Sequence, residues 1–235
     1  MHLSENRILT THVGSLPRPP ELTRLYARRA RGEAVDNAVI ADAGAKAVPW
    51  VIAQQLAAGI DVINNGEQQR ESFVLYLRHR LTGLGGEGSR PPWADVEAYP
   101  KYKENLGRQI AARGEAVSNR DSIPKCIGDV QYKGQEELDT ECRTFKSALA
   151  DVAGRYVEPF FTAPSPGILA SIVRNEHYDT FENYLAAIGR AVRVEYQAIV
   201  ATASCCNSIV PIWRWSGTGF SRRGRSRISS ASSSR

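Results

Sequence analysis

The sequence predicts an α/β fold built around a parallel sheet. A strand, a loop and a helix follow one another four times along the chain, the order that βα crossover connections produce. The 235 residues are 42% hydrophobic and 23% charged, which is typical of a globular protein with a sizeable core and excludes a wholly disordered chain. No glycine-rich nucleotide-binding motif follows a strand, which disfavours nucleotide-binding folds. The pattern alone fits both an open, doubly wound sheet and a closed (β/α)8 barrel.

The first unit consists of a β-rich segment over 8–13, a proline-rich loop over 14–20 and a helix over 21–32. Asp36 is a suitable N-cap for a long second helix, whose apolar residues recur at the helical period. Gly59 is expected to end that helix.

The later units are read from the same signals. Strands are predicted over 61–63, 123–131 and 157–162, and helices over 72–81, 135–154, 168–173 and 180–201. The intervening segment 83–100 is rich in glycine and proline and is predicted to be a loop.

The positive charge lies at the end of the chain. A net charge of +5 and a pI near 9.1 would by themselves suggest a nucleic acid or a membrane surface as partner. Six of the 30 basic residues and none of the 25 acidic residues follow Ala201, so residues 1–201 carry a net charge of −1. The final segment, 202–235, also contains ten serines. The basic character therefore says little about residues 1–201.

The cysteines and the apolar segments indicate a cytoplasmic protein. No run approaches the roughly 18 apolar residues of a membrane span, and the first residues are polar, unlike a signal peptide. Cys126 and Cys142 are isolated and expected to be buried, while Cys205 and Cys206 are adjacent. This spacing gives neither a disulfide framework nor a zinc finger.

Two motifs follow the first two strands. Residues 10–19 read Thr-Thr-His-Val-Gly-Ser-Leu-Pro-Arg-Pro, and residues 59–67 read Gly-Ile-Asp-Val-Ile-Asn-Asn-Gly-Glu and precede Arg70. They resemble the opening and second motifs of the catalytic domain of cobalamin-independent methionine synthase and its short stand-alone relatives. Segments 161–167 and 184–200 are also similar to the short relatives, so the resemblance extends from residue 7 to about residue 201.

The resemblance implies a TIM barrel of the uroporphyrinogen decarboxylase superfamily, of which residues 1–201 would supply about the first four βα units. It implies transfer of a methyl group from methyltetrahydrofolate to the thiol of homocysteine, in methionine biosynthesis. Zinc would hold that thiol as thiolate. Relatives that alkylate another thiol, such as coenzyme M, are the alternative. Small-molecule substrates are thus expected, with neither a membrane nor a nucleic acid as partner.

The same resemblance indicates a site for the amino-acid part of homocysteine or methionine. Val13 and Gly14 would supply backbone contacts, Ser15 its hydroxyl, and Glu67 an acceptor for the amino group. The chemistry is reasonable, because a glycine turn exposes N–H groups to a carboxylate and an ionised glutamate only accepts hydrogen bonds. The simpler alternatives are that Ser15 is a turn residue and that Glu67 is a charge at a helix N-terminus.

The family's zinc ligands are a His and a Cys two residues apart, a Glu and a further Cys, all late in the barrel. No histidine follows His177 here, and Cys205 and Cys206 lack the required spacing. His12 is expected to be a hydrogen-bonded core residue, and His79 and His177 to lie on the surface. We therefore expect this chain, as given, to bind no zinc and to be inactive.

A shift of reading frame would explain the change of composition near residue 201. Back-translation from Ala201 with GC-rich codons, read two bases out of frame, gives Asp-Gly-Phe-Val-Leu-Gln-Leu-Asp-Cys-Pro-Asp-Leu-Ala-Met. That text resembles the next strand of the family. Residues 202–235 are therefore expected to be out of frame and disordered. The alternative, from a different functional class, is a genuine basic tail that binds RNA.

Overall fold

The computed structural model describes residues 2, 4–12, 15–88, 94–112, 123–202 and 205–209. The helices, in chain order, are α1 (Pro20–Ala30), α2 (Asn37–Ala57), α3 (Leu77–Arg80), α4 (Ala94–Glu97), α5 (Pro100–Ala112), α6 (Gln135–Ala150), α7 (Pro166–Ile172) and α8 (Phe181–Thr202). The strands are β1 (Val62–Ile63), β2 (Leu84–Gly88), β3 (Ile123–Cys126), β4 (Glu158–Pro164) and β5 (Cys205–Ile209). Within these ranges no helix is long and apolar enough to cross a membrane.

The first two helices form where the sequence predicts them. Pro20 is the first residue of α1, where its missing N–H costs nothing. The Asp36 carboxylate accepts a hydrogen bond from the Ala38 N–H at 2.8 Å and caps α2. The two helices pack together through a small apolar cluster that includes Leu22, Tyr26 and Ile40.

Three described strands form a parallel sheet in the order β1-β4-β5. Val62 of β1 is in register with Glu158 of β4, and Phe161 of β4 with Cys206 of β5. The α/β class with parallel strands is confirmed, and the described sheet is not closed into a barrel. Residues 205–209 form β5 and belong to the segment predicted to be out of frame and disordered. Residues 210–235 lie outside the described residues.

The segment predicted as the first strand is not a regular strand. Its Thr10 carbonyl accepts hydrogen bonds from the N–H groups of Asp61 and Val62, at 3.1 and 3.0 Å. The other hydrogen bonds between residues 10–11 and residues 61–62 involve side chains. The Thr10 N–H donates to the Asp61 carboxylate at 2.8 Å, and the Thr11 hydroxyl donates to the Val62 carbonyl at 2.9 Å. Side-chain bonds thus replace the ladder that the apolar pattern predicts.

The predicted loop over 83–100 and the third predicted strand pair with each other instead. β2 is antiparallel to β3, so β3 is not part of the parallel sheet. The glycines that suggest a loop allow this pairing, because a Cβ on Gly83 would lie 2.3 Å from the Gly128 carbonyl oxygen. Glycine here marks a close approach of two backbones.

The predicted helix over 72–81 is reduced to α3, preceded by turns. The Ser72 hydroxyl accepts hydrogen bonds from the N–H groups of Val74 and Leu75, at 3.3 and 2.9 Å. These bonds have the pattern of a helix N-cap, but the regular helix begins only at Leu77.

One apolar core lies between the parallel sheet and the helices α2, α6 and α8. Its fully buried residues include Val48, Ile63, Phe145, Phe161 and Ile199. Burial of each such side chain contributes roughly 1.5–3 kcal/mol to folding. Because β1 and β4 are parallel and adjacent, the loop after β1 and the end of β4 meet at one edge of the sheet. This edge carries the candidate site.

Candidate functional site

The loop after β1 is held by its own two asparagines. The Asn64 side-chain oxygen accepts from the Gly66 N–H at 2.7 Å, and that of Asn65 accepts from the Glu67 N–H at 3.1 Å. Gly66 and Glu67 both have left-handed backbones, with φ of 60° and 55°. Glycine adopts this conformation freely, whereas it costs a glutamate roughly 1–2 kcal/mol. A fully buried acidic residue in a disfavoured conformation is the kind of feature that marks functional sites.

Two hydroxyl groups from distant parts of the chain bind the Glu67 carboxylate. The Ser15 hydroxyl donates to Oε2, and the Thr162 hydroxyl donates to Oε1 at 2.8 Å. Ser15 lies in the exposed loop before α1, and Thr162 lies on β4 with 2% of its surface exposed. The structure thus brings together Ser15 and Glu67, the two predicted side-chain contacts. Val13 and Gly14 lie outside the described residues.

In the part of the chain that the structure describes, no cationic side chain forms an ion pair with Glu67. The Arg18 guanidinium instead donates to the backbone carbonyls of Glu67 and Arg70, at 3.1 and 2.6 Å. Burial lowers the pKa of Arg18. A buried carboxylate whose oxygens accept only from hydroxyls, among the described residues, is a favourable partner for a further cation, because burying a charge is costly until it is paired.

A buried ionic cluster of Arg70, Arg80, Glu141 and Glu195 adjoins the site. Arg70 Nε lies 2.7 Å from Glu141 Oε1, and Arg80 Nη2 lies 2.7 Å from Glu141 Oε2. Glu195 lies 3.3 Å from Arg70 and 3.5 Å from Arg80. Two positive and two negative charges balance, as burial of such groups requires.

The cluster is joined to strand β4 and to the loop after β1. Arg70 Nη1 donates to the Thr162 carbonyl at 2.7 Å, and the Asn65 amide donates to Glu141 at 3.0 Å. Burial tends to raise the pKa of Glu141, but the guanidinium charges of Arg70 and Arg80 outweigh it and lower the pKa. Glu141 is therefore held as a carboxylate in the interior.

Sequence reasoning missed Thr162 and three members of the ionic cluster. Arg70 follows the second motif, residues 59–67, but the sequence assigns it no role. A usable signal existed, since Glu141 lies between Leu138 and Phe145 on the buried face of α6. An acidic residue at an apolar position of a helix indicates a buried partner. Thr162 lies in segment 161–167, which resembles the short relatives, but that resemblance gives it no role.

The described residues do not fit a zinc site. They contain no group of three or more His, Cys, Asp and Glu side chains arranged to hold a metal ion. His12 bonds Gln55 at 2.9 Å, and the exposed His177 bonds Asp129 at 3.0 Å. Cys126 and Cys142 are buried, as predicted. No catalytic step involving zinc follows from this arrangement.

Comparisons with known proteins place these residues in context. Residues 8–99 match the family model of the cobalamin-independent synthase catalytic domain. Over 86 residues the chain is 36% identical to a methionine synthase of Sulfolobus acidocaldarius, covering 37% of this chain and 25% of that protein. Over 117 residues it is 34% identical to a 5-methyltetrahydropteroyltriglutamate–homocysteine methyltransferase of Acidithiobacillus ferrooxidans, covering 41% and 15%.

Two solved structures are similar in fold to most of this chain. A B12-independent methionine synthase of a Shewanella species, in complex with selenomethionine, superposes with a TM-score of 0.54 at 18% identity. The match covers 82% of this chain and 48% of that one. A putative vitamin-B12-independent methionine synthase from Listeria monocytogenes also gives a TM-score of 0.54, at 15% identity, covering 86% and 52%.

The chain matches a quarter or less of the length of these curated relatives and about half of the two solved chains. Both candidate site residues that the structure describes, Ser15 and Glu67, lie within the matched segment. Over residues 8–99, the chain is therefore similar to the catalytic domain of the cobalamin-independent synthases.

Proposed function

We propose that residues 1–201 are the first part of a TIM-barrel methyltransferase that transfers a methyl group from methyltetrahydrofolate to homocysteine. The names of the curated relatives support this reaction, and the parallel sheet with flanking helices is compatible with an incomplete barrel. The observation that carries the proposal is the buried Glu67 carboxylate with only hydroxyl partners on its oxygens among the described residues.

The geometry suggests how an amino acid binds. The α-amino group of homocysteine or methionine takes the Glu67 Oε2 position, so the Ser15 hydroxyl must release that oxygen. The released hydroxyl, together with the N–H groups of Val13 and Gly14, then binds the α-carboxylate. This exchange uses a loop with an exposed serine, so it requires no rearrangement of the core. The selenomethionine bound by the Shewanella relative has the same amino-acid part.

The Glu67 carboxylate also discriminates between homocysteine and coenzyme M, the two thiol substrates that the family resemblance allows. Coenzyme M has a sulfonate and no amino group, so its anion would repel Glu67 instead of pairing with it. Homocysteine presents an ammonium to the same oxygen atoms. The site thus favours an amino acid.

A ligand series tests this function. Calorimetric titrations of the whole chain would compare L-methionine, its methyl ester and its desamino analogue, γ-methylthiobutyrate. We expect L-methionine to bind most tightly and loss of either charged group to weaken binding by about tenfold or more, as for hydrogen bonds to charged groups. Equal binding of all three ligands, or none, would refute the proposed site.

We further propose that the chain as given neither binds zinc nor transfers methyl groups, since the family's zinc ligands have no counterparts in it. Metal analysis and an assay with homocysteine and methyltetrahydrofolate test this directly. Stoichiometric zinc or methionine production would contradict it.

We propose that residues 202–235 come from a shifted reading frame. The support is compositional, namely six arginines, ten serines and no acidic residue. Resequencing the gene tests the idea, and a restored-frame protein should gain methyltransferase activity. An unaltered sequence whose alternative frame lacks the family strand would contradict it. The parallel pairing of β5 uses backbone bonds, which either frame can make.

A further inference from the structure

The two hydroxyls on Glu67 differ in how firmly they are held. Ser15 is exposed and belongs to a loop, whereas Thr162 is buried and belongs to the central strand of the parallel sheet. If a ligand displaces the Ser15 hydroxyl, the Thr162 hydroxyl remains as the fixed donor to the other carboxylate oxygen.

Thr162 is itself held from two sides. Its backbone pairs with β5, in register with Asn207, and its carbonyl accepts from Arg70 Nη1 at 2.7 Å. Arg70 is fixed in turn by Glu141 at 2.7 Å and by the ring of Tyr76, 4.5 Å below its guanidinium. The donor that faces Glu67 is therefore pre-organised by the ionic cluster.

We propose that Thr162 is a positioning residue for recognition of the substrate's ammonium group. It orients the Glu67 carboxylate so that Oε2 faces the exposed Ser15 loop, where the ammonium arrives. This inference rests on the proposed function and adds to it the residue that determines preference for an α-amino acid over its desamino analogue. Without the Thr162 hydroxyl, Glu67 loses its one buried donor among the described residues and its carboxylate can rotate.

Paired titrations of the full chain test the inference. L-methionine and γ-methylthiobutyrate would be titrated into the unaltered protein and into Thr162→Val, Thr162→Ala and Thr162→Ser. We expect the two variants without a hydroxyl to lose about tenfold in their preference for methionine, with binding of the desamino analogue unchanged. Thr162→Ser, which retains the donor, should keep the preference.

Thr144→Val is the matched control, because the Thr144 hydroxyl donates only within α6, to the Thr140 carbonyl at 2.8 Å. It should leave both affinities unchanged. If the hydroxyl-free variants that fold weaken both ligands equally, or change neither, the positioning role is wrong. If the unaltered chain shows no preference for methionine, the proposed function itself fails. Two hydroxyl-free variants are used so that poor folding of one leaves the other decisive.

Discussion

Arg70 and Glu141 form an ion pair in the interior, with 2.7 Å between Nε and Oε1 and about 1% of each side chain exposed. The pair joins the loop after β1 to helix α6. Arg70 also donates a hydrogen bond to the Thr162 carbonyl, and the Thr162 hydroxyl donates one to the Glu67 carboxylate. A chain of contacts thus runs from the ionic cluster to the carboxylate that we assign to substrate binding.

Glu141→Gln should be strongly destabilising. The substitution preserves size but leaves two buried guanidinium groups with the single carboxylate of Glu195. Loss of one partner of a buried ion pair typically costs about 3–5 kcal/mol in the free energy of unfolding. Urea denaturation measures this cost. The control is Glu137→Gln, an exposed residue of the same helix, which should change stability by less than about 0.5 kcal/mol. Similar values for the two variants would show that the cluster is not a structural anchor.

Asp61 should contribute to a loss of stability in acid. Hydrogen bonds from Arg7 and from Thr10 hold the pKa of its carboxyl well below the ordinary value of 3.8. Since the folded pKa lies below the unfolded one, the stabilisation is present above the unfolded value and is lost as the pH falls towards the folded value.

The measurement is urea denaturation of the unaltered protein and of Asp61→Asn across a pH series. We expect the variant to be less stable at about pH 7 and the difference between the two proteins to shrink progressively as the pH falls below about 4. Asp42→Asn, which removes an exposed salt bridge to Lys46 at 2.7 Å, is the control and should have a much smaller effect. A constant difference at every pH would contradict the role given to Arg7.

The left-handed backbone of Glu67 predicts an unusual order of stabilities. Alanine and glycine both remove the carboxylate and its two hydroxyl contacts, but only glycine adopts φ near 55° without strain. Glu67→Gly should therefore be more stable than Glu67→Ala by about 1 kcal/mol. Thermal or urea unfolding gives the comparison. At Glu33, which is exposed and does not have a left-handed backbone, we expect no such advantage for glycine. Alanine equal to or better than glycine at position 67 would show that the backbone is not constrained there.

Local signals in the sequence predict much of the fold. Asp36 as N-cap, Pro20 at the start of α1 and the apolar periods of α6 and α8 all determine structure within a few residues, and the structure agrees with them. The errors arise where distant segments meet. The glycines of β2 permit antiparallel pairing with β3 across some 40 residues of chain, and no local pattern reveals that partner.

Some residues of the candidate site can likewise be predicted from the sequence, and others cannot. Ser15 and Glu67 were found because each follows a predicted strand within a motif that resembles a known family. Thr162 also lies in a segment that resembles this family, 161–167, but the resemblance assigns it no contact, and its hydroxyl acts on a residue 95 positions away in the sequence. Glu141 could have been suspected, since a carboxylate on a buried helix face needs a cation.

The central claim is that Glu67 binds the α-amino group of the substrate, and titration of L-methionine into Glu67→Gln tests it most directly. Glutamine is close in size but provides no negative charge for the ammonium, and Glu33→Gln, at an exposed position, is the control. We predict that the unaltered chain and Glu33→Gln bind methionine alike. Glu67→Gln should bind at least about tenfold more weakly, with an unchanged fold by circular dichroism. Equal affinity of Glu67→Gln and the unaltered chain would contradict the account.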